Sequence, residues 1–398
     1  MKTNRPRENT KIVGMQVFGA KSVLFSVFLL ISLCFLSFAV SAGQTLGEFK
    51  TRDGIGFRVE KVLGNLEVPW SIVFGPDGEM YFTERPGYLK LLPKGAKEAK
   101  LIAEVEEVVH AGEGGLMGLA LHPDFNQNGL VYLSYTYRFK GGFSNQVVRY
   151  RLQNGKLTER VTIVRNLPGS SVHDGCRIRF GPDRKLYITA GDAADRKIAQ
   201  DPSSLGGKIL RVNDDGSVPG DNPDKNSPIY ALGFRNPQGI DWHPENGLLF
   251  ETEHGPSGFD GPGGGDEVNI IEKGENYGWP VIHHKQTKEG YVSPLLEYTP
   301  AVAPASGIFY SGGAFPAFRN NFFFGCLRGT RIQRVVLRNS NAREVEREES
   351  LLLEEYGRIR EVAQGPDGYI YFSTSNTSRG NPTPDDDRIL RIVPIIGQ

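Results

Sequence analysis

FGPDGEMYFTE, residues 74–84, reads as a tight turn followed by a strand, and the phrase occurs six times along the chain. It returns as HPDFNQNGLVYLSY from His122, FGPDRKLYITAGD from Phe180, HPENGLLFETEHG from His243, FPAFRNNFFFGCL from Phe315 and GPDGYIYFSTSN from Gly365. Pro pre-sets φ, Asp bonds its own backbone, and Gly tolerates φ > 0. The apolar residues that follow come mostly at every second position, the period of a half-buried strand. Self-similarity at a spacing of roughly 45–70 residues marks a repeat architecture. Six β units predict an all-β, six-bladed β-propeller with four-stranded antiparallel blades, whose axis is a natural place for a site.

Outward from these phrases, strand-like runs alternate with Gly- and Pro-rich turns from Phe57 to Val393, with no long amphipathic helix. Residues 344–355 suit either a short helix or a strand entering a turn. LGGKILRV from Leu205 and RILRIV from Arg388 read as blade strands. The last of these is expected to pair with the first blade and so remove exposed edges. Residues 257–265, SGFDGPGGG, read as a flexible loop, and residues 214–226 as a polar insertion.

The chain has 398 residues, and the first 42 read as an address. Lys2, Arg5, Arg7, Lys11 and Lys21 precede an uncharged apolar run over residues 23–40, and small residues end it at Val40-Ser41-Ala42. That pattern predicts a signal peptide, or an uncleaved membrane anchor, with Met15 as an alternative start. The expected location is therefore periplasmic or extracellular, and residues 43–398 form the propeller domain. Without the leader the chain carries 41 basic and 45 acidic residues, a net charge of −4. Such a balance gives no electrostatic reason to expect nucleic acid. Only Cys176 and Cys326 remain, so disulfides are not expected to hold the fold together.

Four motifs can carry chemistry. His173, in SVHDGCRIRFGPD, falls on a loop before a repeat strand, where a histidine suits a base near neutrality or a cap. Asp192, after the next strand, could orient the imidazole. GFRNPQG, from Gly233, offers the planar fork of Arg235 to a carboxylate or quinone oxygen, with Asn236 and Gln238 as neutral partners; a hydrogen-bonded turn would use the same residues. EHGP from Glu253, followed by DEVNIIEKGENYGWP from Asp266, supplies carbonyls and carboxylates suited to a hard cation, or else a solvated acidic pair. Arg358 and Arg360, two apart, share one side of a strand, and Arg328 lies on the preceding blade. Such arginines could converge on a polyanion at the axis or form surface ion pairs.

VPWSIVFGPDG, GEGGLMGLALHPDF, HDGCRIRFGPD, GFRNPQG, EHGP…DEVN…NYGWP and RIREVAQGPDG occur in that order. Together they make residues 63–393 resemble the soluble quinoprotein sugar dehydrogenases of the glucose/sorbosone dehydrogenase family, nearest its broad aldose dehydrogenase branch. The resemblance implies pyrroloquinoline quinone (PQQ) and Ca²⁺ as cofactors, an aldose sugar as substrate and an external electron acceptor. His173 would take the proton of the anomeric hydroxyl while hydride passes to the quinone, and Asp192 would hold the imidazole. Arg235 would stabilise charge developing on the quinone oxygen. Asn236, Gln238, Arg328, Arg358 and Arg360 would grip the cofactor, and Tyr291 would line its pocket. The carbonyls of Gly255 and Pro256 would hold one Ca²⁺, and Glu267 with the Tyr277 carbonyl a second, structural one.

Three positions depart from the resemblance. Glu113 stands beside the cofactor where relatives often have Gln, so its charge needs compensation. Cys176 replaces a usual Gly, and Arg328 an often-found Lys. Cys176 and Cys326 map near the site, as two unrelated buried thiols or as a pair meeting across the axis. Two other functions fit a six-bladed ring: a calcium-dependent lactonase and a non-catalytic extracellular binding propeller. A lactonase has no call for several arginines, and a binding propeller has none for His173.

Overall fold

The computed structural model describes residues 43–338 and 341–395, together with Met1. The predicted leader, with its apolar run, lies outside the described residues beyond Met1. From Gly43 onward the chain forms six antiparallel sheets around one axis, each reached in sequence order.

Blades 1 to 6 open with the innermost strands Pro69–Phe74, Leu116–Leu121, Gly175–Phe180, Pro237–Trp242, Pro304–Phe309 and Ile359–Gln364. Their second strands are Met80–Glu84, Leu130–Phe139, Leu186–Ala190, Leu249–Glu253, Phe322–Cys326 and Ile370–Thr374. Every second strand is the alternating run of one repeat phrase, and the phrase's turn joins it to the innermost strand. The turn bonds recur: Gly75, Gly181 and Gly365 donate their N–H to the carbonyls of Glu79, Lys185 and Tyr369 at 2.8–2.9 Å. His122 and His243 occupy the same turn position, each accepting through Nδ1 the N–H two residues on.

Five blades have four strands, and the sixth has five. Its outer two are the chain's first strands, Gly56–Leu63 and Gln44–Lys50, and Gly56–Leu63 pairs with the last, Ile389–Pro394. The expected closure therefore takes a different form. The final strand stays in its own blade, and the N-terminal strands come to it, because Pro69–Phe74 already begins a complete first blade. Residues 344–355 settle as the strand Asn341–Leu351 running into a turn, not a helix.

Apolar side chains fill the gaps between neighbouring blades. Ile72, Phe82, Tyr371 and Ile389 join blades 1 and 6, and Phe250, Phe309, Phe322 and Phe324 join blades 4 and 5. Each such buried side chain contributes about 1.5–3 kcal/mol. All six innermost strands break register near their start. A bulge bends a strand and re-aims its side chains. Here it lets consecutive residues such as Trp70 and Ser71, or Arg360 and Glu361, both serve the axis. The blades approach closely there: a Cβ on Gly239 would come within 2.6 Å of the Ala305 carbonyl.

Candidate active site

One rim of the ring collects the starts of the innermost strands and the ends of the second strands, and the chemistry gathers there. Just before an innermost strand stand Glu113, His173, Arg235, Asn236 and Arg358; just after a second strand stand Arg85, Asp192, His254 and Arg328. A cavity of about 240 Å³ lies at this rim. Its floor includes Trp70, Met117, Gln238 and Arg360, each the second residue of its innermost strand. Beneath the floor Arg177 donates to Glu361 Oε2 (2.6 Å), to Ser71 Oγ (3.2 Å) and to the Gln238 carbonyl (3.0 Å). Ser306 Oγ donates to the other oxygen of Glu361.

The cavity wall is strongly cationic. Arg85, Arg328, Arg358, Arg360 and Arg379 line it, against the carboxylates Glu113, Asp174 and Asp266. Arg360 Nη1 donates to Gln238 Oε1 (3.1 Å) and Arg358 Nη1 to the Leu327 carbonyl (3.3 Å), yet the Nε of each is buried without a partner among the described residues. Burial first, then Arg85 and Arg358, loosens the hold of Arg360 on its proton. His254 Nε2 and Asp174 Oδ2, on the same walls, are also buried and have no partner among the described residues. Burial pushes Asp174 up to about 6 and His254 down to about 4. Buried polar atoms are ordinarily satisfied, so four orphans on one cavity mark a place for a polar ligand. A planar tricarboxylate such as PQQ fits this donor set, because it supplies the anions that the guanidinium groups lack.

His173 is set into the rim beside this cavity. Its Nδ1 meets Asp192 Oδ1 at 2.7 Å, and its backbone N–H donates to Glu113 Oε2 at 3.0 Å. Asp192 is itself fixed, accepting Trp279 Nε1–H (2.8 Å) and the Ala194 N–H (2.9 Å). A carboxylate on Nδ1 selects the tautomer with its proton there and leaves Nε2 as the acceptor. The Phe259 ring stacks on the imidazole at 5.8 Å and is itself 67% exposed, while His173 is 4% exposed. The loop of residues 257–265 therefore covers the histidine. It is also tied down: Asp260 Oδ2 accepts Arg235 Nε–H at 2.6 Å, and Ser257 Oγ accepts from Arg235 Nη2.

Arg235 stands apart from the other arginines. It is 2% exposed, pairs with Asp260, and lines a second, smaller cavity beside the first. Asn236 also points inward, accepting from the Gly175 N–H and from Gln238 Nε2. The small cavity, about 10 Å³, has room for roughly one water-sized guest. Gly255, Pro256, Glu267 and Tyr277 all line it, joined by Glu253. Thus the two expected cation sites draw on a single pocket, and the Pro256 carbonyl already accepts the Gly264 N–H (3.2 Å). Burial, then mutual repulsion, drives the carboxyls of Glu251 and Glu267 well up, and Glu253 reaches about 8 with burial as the main cause. Among the described residues no three His, Cys, Asp or Glu side chains converge as metal ligands. A hard cation such as Ca²⁺ would fit by taking carbonyl and carboxylate oxygens together, and would relieve that repulsion.

Other expectations need correction. Tyr291 packs against Gly278, behind the turn that carries Tyr277 and Trp279, and lines neither cavity. Asp266 is not solvated: it is 2% exposed and accepts the N–H groups of Gly255, Val302 and Ala303. Cys176 and Cys326 are both free and buried, in separate apolar clusters. Sequence reasoning missed Arg85, Arg379, Asp260 and His254. Superimposing the repeat phrases would have exposed Arg85 and His254, which follow their second strands as Asp192 does.

The glucose / sorbosone dehydrogenase family profile matches residues 66–381. The aldose sugar dehydrogenase YliI of Escherichia coli is 33% identical over 344 residues, covering 80% of this chain and 90% of that protein. A crystal structure of an oxidoreductase (glucose dehydrogenase) from Thermus thermophilus is 43% identical, with a TM-score of 0.78 over 85% of this chain and 100% of that one. The PQQ-bound aldose sugar dehydrogenase of Streptomyces coelicolor is 32% identical, with a TM-score of 0.75 over 84% of this chain and 97% of that one.

Proposed function

The chain belongs to the glucose/sorbosone dehydrogenase family of oxidoreductases, and from that premise we propose that it oxidises aldose sugars to lactones with PQQ and Ca²⁺. The observation that carries the proposal is the arginine wall with its two orphaned Nε atoms beside His173. A bound quinone would supply the hydride acceptor for the anomeric carbon, and a bound Ca²⁺ would supply Lewis acidity.

The chain's own residues do the rest. His173 Nε2 takes the proton of the anomeric hydroxyl, because Nδ1 is committed to Asp192. Asp192 stabilises the resulting imidazolium, and Trp279 and Ala194 keep that carboxylate in line. Gln238, Arg328, Arg358 and Arg360 would hold the cofactor. Gly255, Pro256, Glu267 and Tyr277 would hold calcium. Arg235 and Asn236 stand behind them: Arg235 anchors the loop over His173, and Asn236 positions Gln238. Residues 1–42 direct export, and electrons leave to an external acceptor.

Purified apo-protein should reduce a dye with aldoses only when both PQQ and Ca²⁺ are added. Full activity without PQQ would refute the assignment.

A further inference from the structure

Among the described residues, buried arginines follow a rule with two exceptions. Arg177, Arg211, Arg235 and Arg334, all 5% exposed or less, each have a carboxylate within 4.0 Å. Arg85 and Arg360, each 6% exposed, have none among the described residues, and both face the central cavity. A desolvated charge is costly unless paired, so an unpaired guanidinium buried in a cavity wall implies an anionic guest. For Arg85 the shortfall is large. Its Nε donates to His110 Nε2 (3.0 Å), and among the described residues Nη1 and Nη2 make no hydrogen bond.

Placement sharpens the point. The arginines of the cavity sit on three consecutive blades: Arg328 on blade 5, Arg358, Arg360 and Arg379 on blade 6, Arg85 on blade 1. Glu113 and His173 stand at the starts of blades 2 and 3. The cavity therefore has a cationic half, with the proposed base outside it. Where Arg379 reaches across, it meets Glu113: Nη1 to Oε1 is 3.5 Å, with 59% and 26% of the side chains exposed. So open an ion pair is weak and readily exchanged. Burial works against the ionised form of Glu113, but the His173 N–H on one oxygen and Arg379 beside the other favour it.

We propose that Arg85 and Arg379 complete the clamp on the cofactor's carboxylates, with Arg379 leaving Glu113 for the incoming anion. The inference rests on the cofactor assignment above. Arg379 shields Glu113 before binding, and the second oxygen of that carboxylate stays on the His173 N–H.

The test is titration of calcium-loaded apo-protein with PQQ, followed by quenching of tryptophan fluorescence, since Trp70 is part of the cavity wall. Arg85→Gln and Arg379→Gln should each raise Kd about tenfold or more, the loss expected of one charge-assisted hydrogen bond. Glu113→Gln should lower Kd, and Glu113→Gln with Arg379→Gln should lie nearer wild type than Arg379→Gln alone. Apo-protein carrying Arg85→Gln should melt no lower than wild type, because the change removes an unpaired buried charge; a purely structural arginine would lower the melting temperature. Saturable quenching of wild type with unchanged Kd in both arginine variants overturns this inference and leaves the cofactor assignment standing. Absence of saturable quenching in wild type overturns the assignment itself, and this inference with it.

Discussion

Arg177 on blade 3 and Glu361 on blade 6 meet at 2.6 Å across the axis of the ring. In a six-bladed ring these blades are opposite, so one buried ion pair ties the two halves together beneath the cavity. Trp70 lies against the same guanidinium, 4.0 Å from its ring centroid. Removing one partner leaves a buried charge unpaired, which costs about 3–5 kcal/mol. Arg177→Met should therefore lower the midpoint of urea unfolding sharply, and adding Glu361→Leu should recover most of the loss. If Arg177→Met unfolds like wild type, the pair is not a support of the ring.

His173 and Asp192 make a separable prediction. His173→Ala should cut turnover by about 10²–10⁴-fold, the weight of general-base catalysis. Asp192→Asn should also cut kcat, because an amide no longer selects the tautomer with a free Nε2. PQQ binding should change little in either variant. A loss confined to KM would count against both roles.

The small cavity predicts a dependence on calcium. Chelation should lower the melting temperature and added Ca²⁺ should restore it, since a ligand that binds only the folded state stabilises it. Glu267→Gln should weaken that response. A melting temperature indifferent to chelator in wild type would contradict a cation held there.

Acid stability should report the ring's closure. Asp53, between the first two strands, bonds Arg334 of blade 5 at 3.0 Å. Burial opposes its charge, but the Arg334 guanidinium and the Thr51 hydroxyl hold its carboxyl far below the usual carboxylate range. A depressed folded pKa gives stability that is present above the unfolded value, about 4, and lost as pH falls below it. Asp53→Asn should lower the melting temperature at neutral pH and reduce its fall on acidification. An unchanged acid limb would show that the ion pair contributes nothing there.

The blades were legible because each repeat phrase carries its own turn chemistry and strand period. Closure was not. Gln44–Lys50 and Gly56–Leu63 lack the phrase, and their pairing with Ile389–Pro394 is a contact between chain ends. Within the site, His173, Asp192, Gln238, Arg328, Arg358 and Arg360 could be named because short motifs hold them. Arg85 and Arg379 escaped because a lone arginine in a loop looks like any surface charge; only the missing carboxylate partner sets Arg85 apart. The 257–265 loop, glycine-rich and read as free, is anchored by Asp260 to an arginine 25 residues earlier.

The most direct measurement is anaerobic mixing of an aldose with protein reconstituted with PQQ and Ca²⁺, following the absorbance of the bound quinone. Stoichiometric reduction of the cofactor by the sugar is expected, slowed by orders of magnitude in His173→Ala. Cofactor that binds but stays oxidised with every aldose, or lactone cleavage by protein free of PQQ, would contradict it.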